Sequence, residues 1–166
     1  MMDKGANMQA RPRIMVDMAV TLIHHGHIRC LQKAAEHGDV VVALTTDEEV
    51  LKTKGYLPEL KYAERKEILE SIRYVKEVVP APWIVDETFL DKHHCDFLAH
   101  PDNTSVYIAD DRLLIIPRTE GISSSQLREH VLNSLIGMNI NEKTPAASEK
   151  LAIFLINLIK KEFRME

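Results

Sequence analysis

Residues Val40–Leu44 read VVVAL, five apolar positions with no polar interruption. A strand with one wet face alternates apolar and polar residues. A continuous β-branched run must be covered on both faces, which is the setting of a parallel sheet. The same kind of segment recurs: Arg13–Met18 (RIMVDM), Val75–Pro80 (VKEVVP), Asp96–Ala99 (DFLA) and Leu113–Pro117 (LLIIP). Helical patterns separate them. Ile28, Leu31, Ala34 and Ala35 form one stripe, closed by Gly38 as a C-terminal cap. Tyr62–Tyr74 carries Ile68, Leu69 and Ile72, Asp86–His94 is a short helix, and Ser123–Ile136 is another. Alternation of this kind predicts an α/β fold: a doubly wound, parallel, five-stranded sheet with right-handed crossovers.

The 166 residues suit one such core. We expect residues 1–11 to be a poorly ordered tail, 12–137 the sheet domain, and 138–166 a linker and C-terminal amphipathic helix. In the last segment Thr144 and Pro145 can start a helix bearing Leu151, Phe154, Leu155, Leu158, Ile159 and Phe163 on one face. A net charge of −4 gives no general attraction for nucleic acid or an anionic membrane. No apolar run reaches the length of a membrane span, and the N-terminus lacks the apolar core of a secretory signal. Cys30 and Cys95 form no CxxC pair, so a reduced, cytoplasmic setting is expected.

In an open parallel sheet, ligands bind beyond the carboxyl ends of the strands. The loop after the first strand holds His24, His25, Gly26 and His27 at the mouth of a helix. Helix N–H groups favour an anion there, the glycine removes bulk, and His24 and His27 can donate ring N–H bonds to phosphate oxygens. A metal bound by His24, His27 and Cys30 is the alternative on spacing, but further ligands are missing. His93, His94 and Cys95 sit at a helix-to-strand turn and read as solvated or packed. A second anion signal is PRTEGISSSQLR, Pro117–Arg128. Arg118 leaves a strand end with a fork of donors, Gly121 permits a tight turn, and Ser123, Ser124 and Ser125 open a helix. Lys52 and Lys54, expected on a mobile loop before Gly55, could close over a phosphate as point charges.

Together, H-x-G-H at His24–His27, K-G at Lys54–Gly55, R-Y-V-x-E-V from Arg73, and R-T-E-G-I-S at Arg118–Ser123 resemble the cytidylyltransferases. The likeness runs from about Ile14 to Leu132. APW at Ala81–Trp83 and DFLAH at Asp96–His100 are similar to the choline and ethanolamine branch, and MAVTLIHHGH to domains of phosphonate biosynthesis. The resemblance implies a Rossmann-like nucleotidyltransferase fold, usually dimeric, that moves CMP from CTP to a phosphorylated or phosphonate alcohol and releases pyrophosphate. It implies catalytic roles for His24, His27, Lys54 and Arg118. It places nucleotide contacts at Gly26, Arg73, Thr119, Gly121, Ile122, Ser123, Ser124 and Ser125, with Arg73 near a subunit interface. Substrate contacts would fall at Trp83, His100 and Asp102, and Mg²⁺ would arrive on the CTP phosphates rather than on protein ligands.

The chain departs from that pattern at Thr21, where the family has an aspartate, and at Pro101, where it has one of two acidic residues. Asp17 lies close to the missing aspartate in sequence. A nucleotide-binding module without turnover, or an adenylyltransferase, are the alternatives these departures leave open.

Overall fold

A computed structural model describes residues 10–101 and 107–140, with side chains through Leu132. They fall into two compact units that part between Ser124 and Ser125.

The first unit holds five strands: β1 (Arg13–Met18), β2 (Asp39–Thr45), β3 (Val75–Ala81), β4 (Phe97–His100) and β5 (Leu113–Ile115). Four helices join them: α1 (His25–His37), α2 (Asp47–Lys54), α3 (Tyr62–Glu70) and α4 (Glu87–Lys92). Every pairing is parallel and the strand order is β3-β2-β1-β4-β5. The chain winds outward from β1 through β2 to β3, then returns to the other side of β1 for β4. The crevice between β1 and β4 is therefore the switch point where such sheets hold ligands.

Alternate residues of each strand enter two cores. Ile14, Val16, Val40, Val42, Leu44 and Val78 meet Leu31 and Ala34 of α1 and Leu69 of α3. Met15, Val41, Ala43, Val79 and Leu98 meet Leu90 of α4. This is the two-sided burial that VVVAL predicts.

The strand expectations hold to within two residues at each end, and three details differ. Tyr62–Tyr74 is helical only to Glu70; the chain then turns so that Val75 can pair with Val40. Gly38 does end α1, but in extended geometry, not a left-handed cap. A Cβ there would lie 2.1 Å from the Pro12 carbonyl oxygen, so close backbone approach is what excludes a side chain. Lys52 and Lys54 lie not on a mobile loop but in the last turn of α2, where two cations suit the helix's negative end. Thr46 caps the other end of α2, three acidic residues fill its first turn, and Gly55 closes it at φ 76.

The second unit begins at Ser125. Its described part continues α5 (Ser124–Ile140). The expected helix at 145–163 lies outside the described residues.

Candidate active site

The loop after β1 ends in His24, which caps α1. Its Nδ1 accepts the Gly26 N–H at 3.2 Å, and Nδ1 of His27 accepts the His24 N–H at 3.2 Å. Each imidazole thus spends one nitrogen satisfying a helix-start donor, which assigns the remaining ring proton to Nε2. The rings stand 3.8 Å apart, tilted by 31°. Burial, reinforced by the neighbouring His24, pushes the pKa of His27 down to about 4; burial and His25 lower that of His24. Both are neutral near pH 7, each with a pre-aimed Nε2–H.

The segment after β5 packs against this loop. Ser124 Oγ donates to the Leu22 carbonyl oxygen at 3.0 Å and accepts the Leu22 N–H at 3.3 Å. A Cβ on Gly26 would sit 2.9 Å from His24 Nδ1 and 3.2 Å from Ile122 Cγ2. The bulk that Gly26 avoids is therefore protein, the His24 ring and Ile122. Gly121 turns the chain at φ 73, a conformation that favours glycine. Ile122 and Ser124 thereby meet the histidine loop, Arg118 and Thr119 lie along α1 beside Cys30, and Ser125 opens the second unit.

Two residues beyond the expected set support the corner. Asp17 lies on β1, one step past the Val16–Ala99 pair, and so stands beside His100 at the end of β4. Burial raises the pKa of its carboxyl, opposed by the charges of His100 and Arg118. Its Oδ1 is buried with no hydrogen-bond partner among the described residues. Arg65 of α3 has a side chain that is 0% exposed. Its guanidinium donates to the carbonyls of Ala19 and Leu60 and to Asp47 Oδ1, the last at 2.6 Å. Asp47 Oδ2 in turn accepts the Tyr62 N–H at 3.0 Å. Arg65 thus straps the loop after β1 to α2 and α3. That loop includes Val20, buried at φ 46, a strained angle for a β-branched residue. A sequence signal for Arg65 exists: with Tyr62, Leu69 and Ile72 it falls on the buried stripe of its helix. Thr21, in the place of the family's aspartate, is buried as well.

Other expected residues have contacts of their own. Lys54 Nζ lies 5.4 Å from the Trp83 ring centre, and the Trp83 N–H donates to Glu49 Oε2 at 3.0 Å. These residues form a corner of their own between α2 and the end of β3. Arg73 does not join the histidines within one chain. It precedes β3, and in a parallel sheet strand starts and strand ends lie on opposite edges. Its guanidinium donates to the Tyr74 hydroxyl at 2.6 Å. Asp102 lies outside the described residues.

Among the described residues, no three His, Cys, Asp or Glu side chains converge as metal ligands do. Burial, chiefly, raises the pKa of the Cys30 thiol to about 11. No helix among the described residues is long and apolar enough to cross a membrane.

The cytidylyltransferase-like family matches residues 21–130, from the buried threonine through the serine corner. The chain belongs to the cytidylyltransferase-like family. It is 37% identical over 118 residues to glycerol-3-phosphate cytidylyltransferase of Bacillus subtilis, covering 66% of this chain and 89% of that one. It is 33% identical over 136 residues to ethanolamine-phosphate cytidylyltransferase of Mus musculus, covering 75% of this chain. The chain spans about a third of the length of that mouse protein and of its Dictyostelium discoideum counterpart. Among solved structures, the lipopolysaccharide core biosynthesis protein of Thermoplasma volcanium has a TM-score of 0.54 at 14% identity, over 66% of this chain and 98% of that one. It shares the cytidylyltransferase-like sheet, and at that identity the likeness concerns fold alone.

Proposed function

We propose that this cytidylyltransferase-like chain transfers CMP from CTP to a small phosphorylated alcohol and releases pyrophosphate. The observation that supports this most is the clamp between Leu22 and Ser124, which ties the loop bearing two neutral imidazoles to the end of the segment that begins at Arg118. The acceptor's phosphate oxygen is already ionised near neutral pH, so no general base is needed. Catalysis then rests on alignment and on donors aimed at charge developing on the α-phosphoryl group and its leaving group. His24 and His27 supply the Nε2–H donors and Arg118 holds the outer phosphates, while the Ser124 hydroxyl, spent on Leu22, positions the segment that carries Arg118. Among the described residues no cluster of protein ligands fits a resident metal; a Mg²⁺ ion carried by the nucleotide phosphates would offset their charge. The expected homodimer is what would bring Arg73 of a second copy to the nucleotide.

Asp17 narrows the acceptor. A buried carboxylate oxygen without a partner calls for an N–H or O–H donor. An ammonium or hydroxyl, as in phosphoethanolamine or glycerol 3-phosphate, meets that need; a trimethylammonium does not. Lys54 stands 5.4 Å from the centre of the Trp83 ring, where its charge opposes a second cation at that face.

The test is pyrophosphate release with CTP and Mg²⁺ against phosphoethanolamine, glycerol 3-phosphate, phosphocholine and 2-hydroxyethylphosphonate, with ATP as the rival nucleotide. Turnover with CTP and one of the first two acceptors is expected. Removing the ring donor in His27→Ala should lower it by about 10²–10³. Thr21, in place of a carboxylate, favours a second reading as a binding module. CTP binding with no turnover on any acceptor would select that reading.

A further inference from the structure

We propose that Arg29 and Lys33 extend the polyphosphate site along α1 and receive the pyrophosphate as it departs; this rests on the reading of CTP as substrate. A cavity of about 380 Å³ lies between the outer face of α1 and the segment after β5. Its lining includes Arg29, Cys30, Lys33 and Glu36 from α1, and Arg118 and Thr119 from the segment.

Arg29 and Lys33 are four residues apart on the helix, so their like charges face each other one turn away and repel. Arg118 brings a third positive charge to the same space. Among the described residues none of the three is held in an ion pair. Glu36 is the acidic member of the lining and the buried Asp17 faces Arg118 from behind it, so the positive charge left for a ligand is chiefly that of Arg29 and Lys33. All three cationic side chains are exposed, so water screens their repulsion and leaves them able to turn toward a shared anion.

The leaving group suits the cavity in charge and position. As the acceptor oxygen bonds to the α-phosphorus, the bond to the bridging oxygen breaks. Its electron pair stays on that oxygen, so negative charge gathers on pyrophosphate. Arg118 lines this cavity and lies six residues before Ser124, whose hydroxyl is tied to the histidine loop, so the same segment reaches both places. From His27 to Lys33 the helix rises about 9 Å, at about 1.5 Å per residue, a path leading away from the imidazoles. The lining offers no aromatic side chain on which a base could stack, which favours pyrophosphate over a whole nucleotide.

Isothermal titration of the full chain with inorganic pyrophosphate tests this without requiring turnover. Arg29→Ala and Lys33→Ala should each weaken binding about tenfold, the loss of one charge-assisted bond, while CMP binding stays within about twofold. Glu36→Gln should tighten pyrophosphate about threefold by removing a repulsion, a gain that misfolding cannot produce. Pyrophosphate affinities unchanged in all three variants would overturn the proposal, even if the wild type turns over CTP. A wild type inactive with CTP whose pyrophosphate binding still follows this pattern would overturn the CTP reading and leave the anion site standing.

Discussion

Ser124 and Leu22, 102 positions apart in the chain, share two hydrogen bonds through one hydroxyl: Ser124 Oγ donates to the Leu22 carbonyl at 3.0 Å and receives its N–H at 3.3 Å. The hydroxyl satisfies both backbone groups of a loop residue that lies in neither a helix nor a strand. It also sets the spacing between the imidazoles and the Arg118 segment. Ser124→Ala should cost about 1–2 kcal/mol in urea unfolding. It should also raise KM for CTP several-fold, with KM for the acceptor little changed. An unaltered KM for CTP would separate the clamp from nucleotide binding.

Gly26→Ala places a methyl 2.9 Å from His24 Nδ1 and 3.2 Å from Ile122. The His24 ring has to leave its cap. Overpacking of this kind costs about 1–3 kcal/mol. Adding Ile122→Ala should recover part of the melting temperature and little of kcat, because the ring stays displaced. Full recovery of kcat would place the strain at Ile122 alone.

Arg65 has no exposed side-chain surface and links Ala19, Leu60 and Asp47. Arg65→Met should destabilise the chain by about 3–5 kcal/mol, since three acceptors lose a buried cation. Arg65→Lys should recover little, because a single ammonium cannot reproduce the planar fork. Thermal unfolding of both variants measures this.

Folded-state stability should depend on pH through His27. Its pKa is about 4 in the fold against a usual 6.5. The unfolded chain therefore takes up the proton first as pH falls. Stability is whole above about pH 6.5 and declines from there toward 4. His24, also lowered by burial, adds in the same direction. Urea midpoints across this window should show the decline in the wild type and a shallower one in His27→Asn.

Asp17→Asn keeps the side chain's shape and removes its charge. KM for the acceptor should rise about tenfold, the worth of one charge-assisted bond, with KM for CTP within about twofold. The carboxyl is raised above its ordinary value chiefly by burial, so the ionised form burdens the fold at neutral pH. The unliganded variant should therefore melt slightly higher than the wild type. Lower stability together with an unchanged acceptor KM would make Asp17 a structural group.

Reading along the chain was sufficient for the strands, because each is a local apolar run long enough to demand burial on both faces. It was sufficient also for the histidine and Arg–Ser motifs, whose glycines, donors and helix starts are contiguous. It failed at α2, where only Val50 is buried and the amphipathic signal is weak. What Arg73, Asp17 and Arg65 meet was beyond it for a different reason. Strand direction in a parallel sheet sends Arg73 to the edge opposite the histidines. The β1–β4 pairing sets Asp17 beside His100, and helix packing turns Arg65 inward onto Ala19 and Asp47. Such placements come from contacts between segments distant in the chain, 18 residues apart in Arg65–Asp47 and 46 in Arg65–Ala19. Local pattern records which side chains can be buried or bind an anion; the partner each one meets depends on chain crossings that no single stretch encodes.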